Sequence, residues 1–166
     1  FLGALLALFS VNFKRTLACS SVSQIGFILT GIGMQGILGK ESAIAASGTI
    51  LHMLNHSMFK LVLFLVAGVI VQNLHALDLN EIRGFGRKKP YLMLCYLFGA
   101  LGIGGIPGWS GYISKTLLHE GIVEGIHHMH ASHTAALGLK CAEIVFLISG
   151  GITCAYMIKL FVAVFV

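Results

Sequence analysis

His52, His56 and Lys60 follow one another at intervals of four residues, and they are the only ionisable groups in the apolar stretch 43–71. On a helix this spacing sets all three on one face, spread over about 12 Å of depth. Ionisable groups are costly in hydrocarbon, so they face a protein interior or a wet cavity. Imidazole exchanges protons near neutral pH, and an amine withdrawn from water gives up its proton more readily. The first chemistry to expect is therefore proton transfer. Asn55 and Ser57 could hold waters between the steps. The alternative for Lys60 is to snorkel to the membrane surface. It lies about 16 Å of helix from the end of the stretch, half of a core about 30 Å thick. A stem of about 6 Å does not bridge that distance. The His-x3-His pair also has zinc-ligand spacing. No third ligand lies nearby in the sequence, and Lys60 would repel a cation, so no metal is expected here.

A second candidate is Lys115, in residues 107–126, P-G-W-S-G-Y-I-S-K-T-L-L-H-E-G-I-V-E-G-I. This segment is too polar for an ordinary span and too apolar for a plain loop. Gly108, Gly111, Gly121 and Gly125 interrupt it. An interrupted segment in a transporter marks an ion site, and its open backbone must be lined by protein or water. Lys115 then reads as a second buried titrating group, with His119, Glu120 and Glu124 as its continuation towards bulk water. The bland alternative is an interfacial lysine beside a re-entrant loop. Glu120 lies five residues on, out of register for a direct helical pair. His127, His128, His130 and His133 form a dense cluster that suits a solvated, proton-collecting surface or a zinc site. Lys140, Glu143 and Lys159 read as interfacial.

The elements that must position these groups are helices in a membrane. The 166 residues are 57% hydrophobic and 10% charged, with mean hydropathy +0.91. A soluble domain carries about 25% charged residues. The net charge of +5 and pI near 9.2 do not signal nucleic acid, because the basic residues gather at segment edges. The expected class is all-α, a polytopic transmembrane bundle of about five spans plus the tail of a preceding one, with one helix broken. Residues 1–11 are that tail and 12–20 a connector. Spans follow at 21–38, 43–71, 90–106 and 139–166, with the broken segment at 107–126. Residues 72–89 and 127–138 are polar connectors. Residues 1–166 are expected to form a single transmembrane domain, part of a longer protein, since the chain opens and closes within apolar runs. Lys14, Arg15, Arg83, Arg87, Lys88 and Lys89 fall on one side, which should be cytoplasmic or its equivalent. Cys19, Cys95, Cys141 and Cys154 show no CxxC pairing and read as small buried hydrophobes. No phosphate-binding loop, nucleotide fingerprint, haem motif or iron–sulfur pattern occurs, so no cofactor is expected.

Four stretches in order resemble one family. N-F-K-R-T-L-A-C-S-S-V-S-Q-I-G resembles D-x-K-R-x-x-A-Y-S-S-x-S-Q-x-G of the antiporter-like subunits of respiratory complex I. L-H-M-L-N-H-S-M-F-K-L-V-L-F-L-V-A-G resembles that family's H-x-x-x-H-x-x-F-K-x-x-L-F-x-x-x-G helix. D-L-N-E-I-R-G-F-G-R-K-K-P resembles its connector, and G-G-I-P-G-W-S-G-Y-I-S-K its G-x-P-P-x-x-G-F-x-S-K segment. Asn12, Cys19, Gly108 and Thr116 depart from the usual Asp, Tyr, Pro and Asp.

The resemblance implies the second of two inverted five-helix repeats, with Lys60, His56 and His52 on a central hydrophilic axis and Lys115 in a broken helix near an exit half-channel. It implies proton translocation within a complex I-like NADH:quinone oxidoreductase or a related hydrogenase, without redox chemistry in this chain. The implied partners are other membrane subunits of such an assembly and the lipid bilayer, with no nucleic acid. The implied location is a multi-pass position in a bacterial cell membrane. Alternatives are a sodium/proton antiporter subunit, a non-conducting assembly subunit, and a metal-binding transporter using the histidine cluster.

Overall fold

The computed structural model describes residues 1–129 and 133–166. Its elements are α1 (Leu2–Phe9), α2 (Phe13–Leu38), α3 (Ala43–Leu74), α4 (Pro90–Gly104), α5 (Ser110–His128) and α6 (His133–Phe165), with a 3₁₀ turn at Gly39–Glu41. Among the described residues there is no strand, only an isolated bridge between Asn12 and Asp78. The all-α membrane bundle is what the composition led one to expect. Three stretches, Phe13–Glu41, Ala43–Leu74 and Thr134–Phe165, are each long and apolar enough to cross a membrane.

Some boundaries differ from those read in the sequence. Residues 12–20 are not a connector but the first turns of α2. Asn12 caps that helix, its side-chain oxygen accepting from the Arg15 backbone N–H at 3.1 Å, which stabilises the orphan donors of the first turn. The charges of Lys14 and Arg15 suggested a loop, but both side chains are exposed on the helix. Likewise α5 is continuous through Gly111, Gly121 and Gly125. Its inner glycines admit neighbouring helices: a Cβ on Gly121 would lie 2.9 Å from that of Ala45. The interruption is shorter and lies just upstream, where Gly105 (φ 77) and Gly108 (φ 93) take the left-handed conformations open to glycine between α4 and α5.

The ends of the elements set the direction of each crossing. Phe13 N–H donates to Leu77 O at 2.9 Å and Leu79 N–H to Val11 O at 2.8 Å, tying the start of α2 to the connector after α3. Gly86 N–H donates to Val164 O at 2.8 Å, bringing the end of α6 to the same side. Lys14, Arg15 and Arg83 to Lys89 thus share one end of the bundle. At the other end His128 Nε2 lies 4.0 Å from Glu41 Oε2. α4 is 15 residues long, about 22 Å, and falls short of a core about 30 Å thick. α4 and α5 are therefore two halves of one crossing with a break between them.

The apolar interior is divided in two. One cluster, built on Leu17, Leu63, Ile70, Tyr96 and Leu160, fills the basic end. A second, built on Phe27, Met34, Ala45, Leu118 and Ile122, fills the opposite end. Between them lie buried polar residues: Ser20, Ser23 and Gln24 on α2, His52 and Lys60 on α3, Ser149 and Thr153 on α6. Outside, large apolar side chains such as Ile25, Leu29, Leu54, Met58 and Leu65 are exposed, as a lipid-facing surface requires. Cys95 and Cys141 also lie on that exposed surface, while Cys19 and Cys154 are half-buried and all four are free. Burial was the expectation for all four. The two exposed thiols sit on outer helix faces, where lipid takes the role of core.

Candidate functional site

α3 carries three of the candidates on an inner face that is small in its first turns, at Ala45, Gly48 and Thr49, and larger further on, at His52, Phe59, Lys60 and Leu63. Gly48 lets α5 come close: a Cβ there would stand 2.9 Å from the Leu118 backbone nitrogen. That approach brings Ser114 of α5 to His52 of α3, with His52 Nδ1 3.0 Å from Ser114 Oγ. The Ser114 hydroxyl donates to Gly111 O at 3.1 Å. Its single proton is then engaged, so His52 donates from Nδ1 and its Nε2 is left as an acceptor. That Nε2 is buried and has no hydrogen-bond partner among the described residues. The ring stands edge-on to Phe27, centroids 5.9 Å apart. His56, half-buried, has a buried Nε2 equally without a partner among the described residues.

Lys60 is 6% exposed. Its side chain turns inward to α2, where Nζ donates to Leu17 O at 2.6 Å and to Ser20 Oγ. The amine neither snorkels nor points into lipid. Leu17 O also accepts from Ser20 Oγ at 2.9 Å and Ser21 Oγ at 3.1 Å, so one backbone carbonyl gathers three side-chain donors. No carboxylate pairs with Lys60 among the described residues, and its partners are neutral dipoles.

Lys115 is held in the same manner at the helix break. Nζ donates to Ile103 O at 2.9 Å and Gly104 O at 3.2 Å. These are terminal carbonyls of α4, which lack intrahelical partners and form the negative end of its dipole. Cys154 Sγ contacts Gly104 O at 3.5 Å. Lys115 Nζ lies 5.4 Å from the centroid of the same Phe27 ring that His52 abuts. Phe27 therefore sits between the histidine ladder and the break, and Ser114 links the two along the backbone.

The other candidates separate. His119 pairs with Glu143 of α6, Nε2 to Oε1 at 2.9 Å. Glu120 is exposed, whereas Glu124 is half-buried, its Oε2 buried and unpartnered among the described residues. Asn55 Nδ2 donates to Ser110 O at 3.0 Å and so binds α3 to the break, while Ser57 returns to its own helix at Met53 O, 2.9 Å. His127 and His128 end α5; His130 and the side chain of His133 lie outside the described residues.

Two groups read as interfacial turn towards neighbouring helices. Lys159 reaches inward to Ala7 O at 3.1 Å, Leu8 O at 2.6 Å and Ser10 O at 2.7 Å, closing the carbonyl end of α1. Glu143 faces α5. Lys140 is exposed. Sequence reasoning also passed over Ser20, Ser23, Gln24, Ser114 and Thr153. Gln24 Nε2 donates to Thr153 Oγ1 at 3.3 Å across α2 and α6. The signal was in S-S-V-S-Q, whose polar residues recur at helical spacing inside an apolar run. Glu143, on a different helix from His119, had no such signal.

Comparison with known proteins bears on this geometry. The family described as NADH:quinone oxidoreductase/Mrp antiporter, transmembrane, matches residues 1–139. Hydrogenase-4 component B of Escherichia coli K12 is 30% identical over 169 residues, covering 96% of this chain and 24% of that protein. NAD(P)H-quinone oxidoreductase chain 4 2 of Trichodesmium erythraeum is 37% identical over 111 residues, covering 67% and 19%. Formate hydrogenlyase subunit 3 of Escherichia coli K12 is 34% identical over 125 residues, covering 72% and 21%. The chain thus spans about a quarter or less of these relatives' length. In fold it is similar to a chain of respiratory complex I from Thermus thermophilus with bound NADH, at TM-score 0.77 and 24% identity, covering 99% of this chain and 31% of that one.

Proposed function

The chain belongs to the NADH:quinone oxidoreductase/Mrp antiporter transmembrane family, and from that premise we propose that it moves protons across a bacterial cell membrane. It acts as the second half of an antiporter-like subunit, with residues 1–166 one transmembrane domain. Its partners are the other membrane subunits of a complex I-like or hydrogenase assembly, in which the redox chemistry lies elsewhere. The relatives named as hydrogenase, formate hydrogenlyase and quinone oxidoreductase components support that assignment. The basic end of the bundle faces the cytoplasm.

The observation that carries the reading is the company of the two lysines. Lys60 and Lys115 sit in the interior on backbone carbonyls and a serine hydroxyl. A buried carboxylate partner would be left as an uncompensated charge whenever the lysine became neutral. A carbonyl or hydroxyl leaves no such charge, so either protonation state of the amine is tolerated. Lys60 would exchange protons with His56 and His52 through water. His52, hydrogen-bonded to Ser114, hands on to Lys115 beside Phe27. Moving one charge across about 180 mV costs about 4 kcal/mol, which a change of about three units in proton affinity supplies.

The experiment is Lys60→Ala in the full-length subunit within its complex. Proton uptake into sealed vesicles should collapse while the complex still assembles. A second reading has a specific observation in its favour. Lys60 joins α3 to α2 and Lys115 joins α5 to α4, so both could serve as pins in a non-conducting assembly subunit. That reading expects Lys60→Ala to lose the complex itself. A sodium/proton antiporter is separated from both by pH changes that depend on added sodium.

A further inference from the structure

His119 and Glu143 meet across the α5–α6 contact, Nε2 to Oε1 at 2.9 Å, with side chains 29% and 26% exposed. His119 lies one helical turn beyond Lys115, on the same face of α5. Both line a cleft of about 380 Å³ between α4, α5 and α6, together with Tyr112, Thr116 and Gly150. The cleft begins at Gly104, whose carbonyl binds Lys115. From there α5 runs towards the end of the bundle where His128 meets Glu41, away from the basic connectors. A proton leaving Lys115 in that direction meets His119, with the Glu143 carboxylate behind it. Glu120, the nearest acid in the sequence, is exposed and is not part of this pair.

We propose that His119 and Glu143 form the exit dyad for protons released by Lys115. The inference rests on the transport reading above and adds a residue, Glu143, from outside the sequence motifs. His119 donates from Nε2 to the carboxylate, which leaves the Nδ1 lone pair to accept. The cleft is mostly apolar, but Tyr112, Lys115, Thr116 and His119 set polar groups along it that water can bridge. An N–H bond breaks at the Lys115 ammonium, and its proton passes through that water to form an N–H bond at Nδ1. Glu143 stabilises the imidazolium. Loss of a proton, from Nδ1 to water or from Nε2 by way of Glu143 Oε1, restores the neutral ring. One proton enters and one leaves, and no oxidant, metal or cofactor takes part.

The test uses the full-length subunit in its assembled complex, in sealed vesicles, with assembly followed on native gels. Glu143→Gln should lower proton delivery about tenfold, less than the roughly 100-fold at the low end for loss of the proton-transferring group itself, because His119 remains. Glu143→Asp, which keeps a carboxylate beside His119, should stay within about threefold of wild type. Wild-type delivery by Glu143→Gln, alongside a Lys115→Ala variant that fails, overturns the dyad and leaves the transport reading standing. Wild-type delivery by Lys115→Ala overturns the transport reading and the dyad with it. If Glu143→Gln fails to assemble, the exchanged pair His119→Glu with Glu143→His decides. Recovery of both assembly and delivery supports the dyad. Recovery of assembly without delivery shows a mere helix pin and overturns it.

Discussion

Lys60 is bound to Leu17, its Nζ donating to the Leu17 carbonyl at 2.6 Å across the contact between α3 and α2. The lysine comes from the second quoted motif and the carbonyl from the first, 43 residues earlier. Ser20 of S-S-V-S-Q completes the seat. The two motifs thus form one structural unit, in which a cation is held by a dipole and a hydroxyl.

Lys60→Arg follows directly from that seat. Guanidinium keeps its proton under all relevant conditions, so the variant retains a charge and loses the exchange. The complex should assemble, and proton delivery measured with a pH-sensitive dye in vesicles should fall about tenfold or more. Delivery at the wild-type rate would mean that Lys60 does not cycle.

Lys115→Ala removes the cation from the end of α4. The carbonyl of Ile103 loses its side-chain donor, that of Gly104 keeps only the Cys154 thiol, and the path between Phe27 and the cleft loses its titrating group. We expect slowed or uncoupled turnover, read as the ratio of protons delivered to substrate consumed. A wild-type ratio and rate would remove Lys115 from the mechanism.

Gly48→Val tests the approach of α3 to α5. The added carbons meet the backbone at Leu118, and overpacking of this type costs about 1–3 kcal/mol. The His52 to Ser114 hydrogen bond should lengthen with it. Thermal unfolding in detergent checks the first effect, and an unshifted melting curve would show that the contact has room to spare.

Lys159→Met separates structure from transport. Its amine closes three carbonyls at the end of α1, and leaving buried acceptors unmet costs about 1–3 kcal/mol. Melting temperature should fall. Proton delivery per assembled complex should stay at the wild-type rate. A collapse of delivery in stable complexes would place Lys159 in the route.

Much of the site was legible because membrane burial makes polar residues conspicuous. Three ionisable groups at helical spacing in an apolar run have few explanations, and their inward orientation followed from the cost of the alternative. The break near Lys115 was legible from its glycines, although only Gly105 and Gly108 take the left-handed conformations. Gly111, Gly121 and Gly125 are packing positions in a continuous helix, and sequence does not distinguish the two uses. The start of α2 was misread because Lys14 and Arg15 look like a loop. A helix carries charges readily on an exposed turn once a cap such as Asn12 satisfies its first donors.

By itself the chain's composition and periodicity determined a helical membrane bundle, the face of α3 that must be hidden, and the neighbourhood of the break. These depend on hydrocarbon and on the local repeat of a helix, which act within one segment. Partners depended on tertiary structure: Leu17 and Ser20 for Lys60, the α4 terminus for Lys115, Ser114 for His52, Glu143 for His119. Those contacts join residues on different helices, and their geometry is set by how closely the helices approach and at what height. No spacing along a single helix encodes that approach.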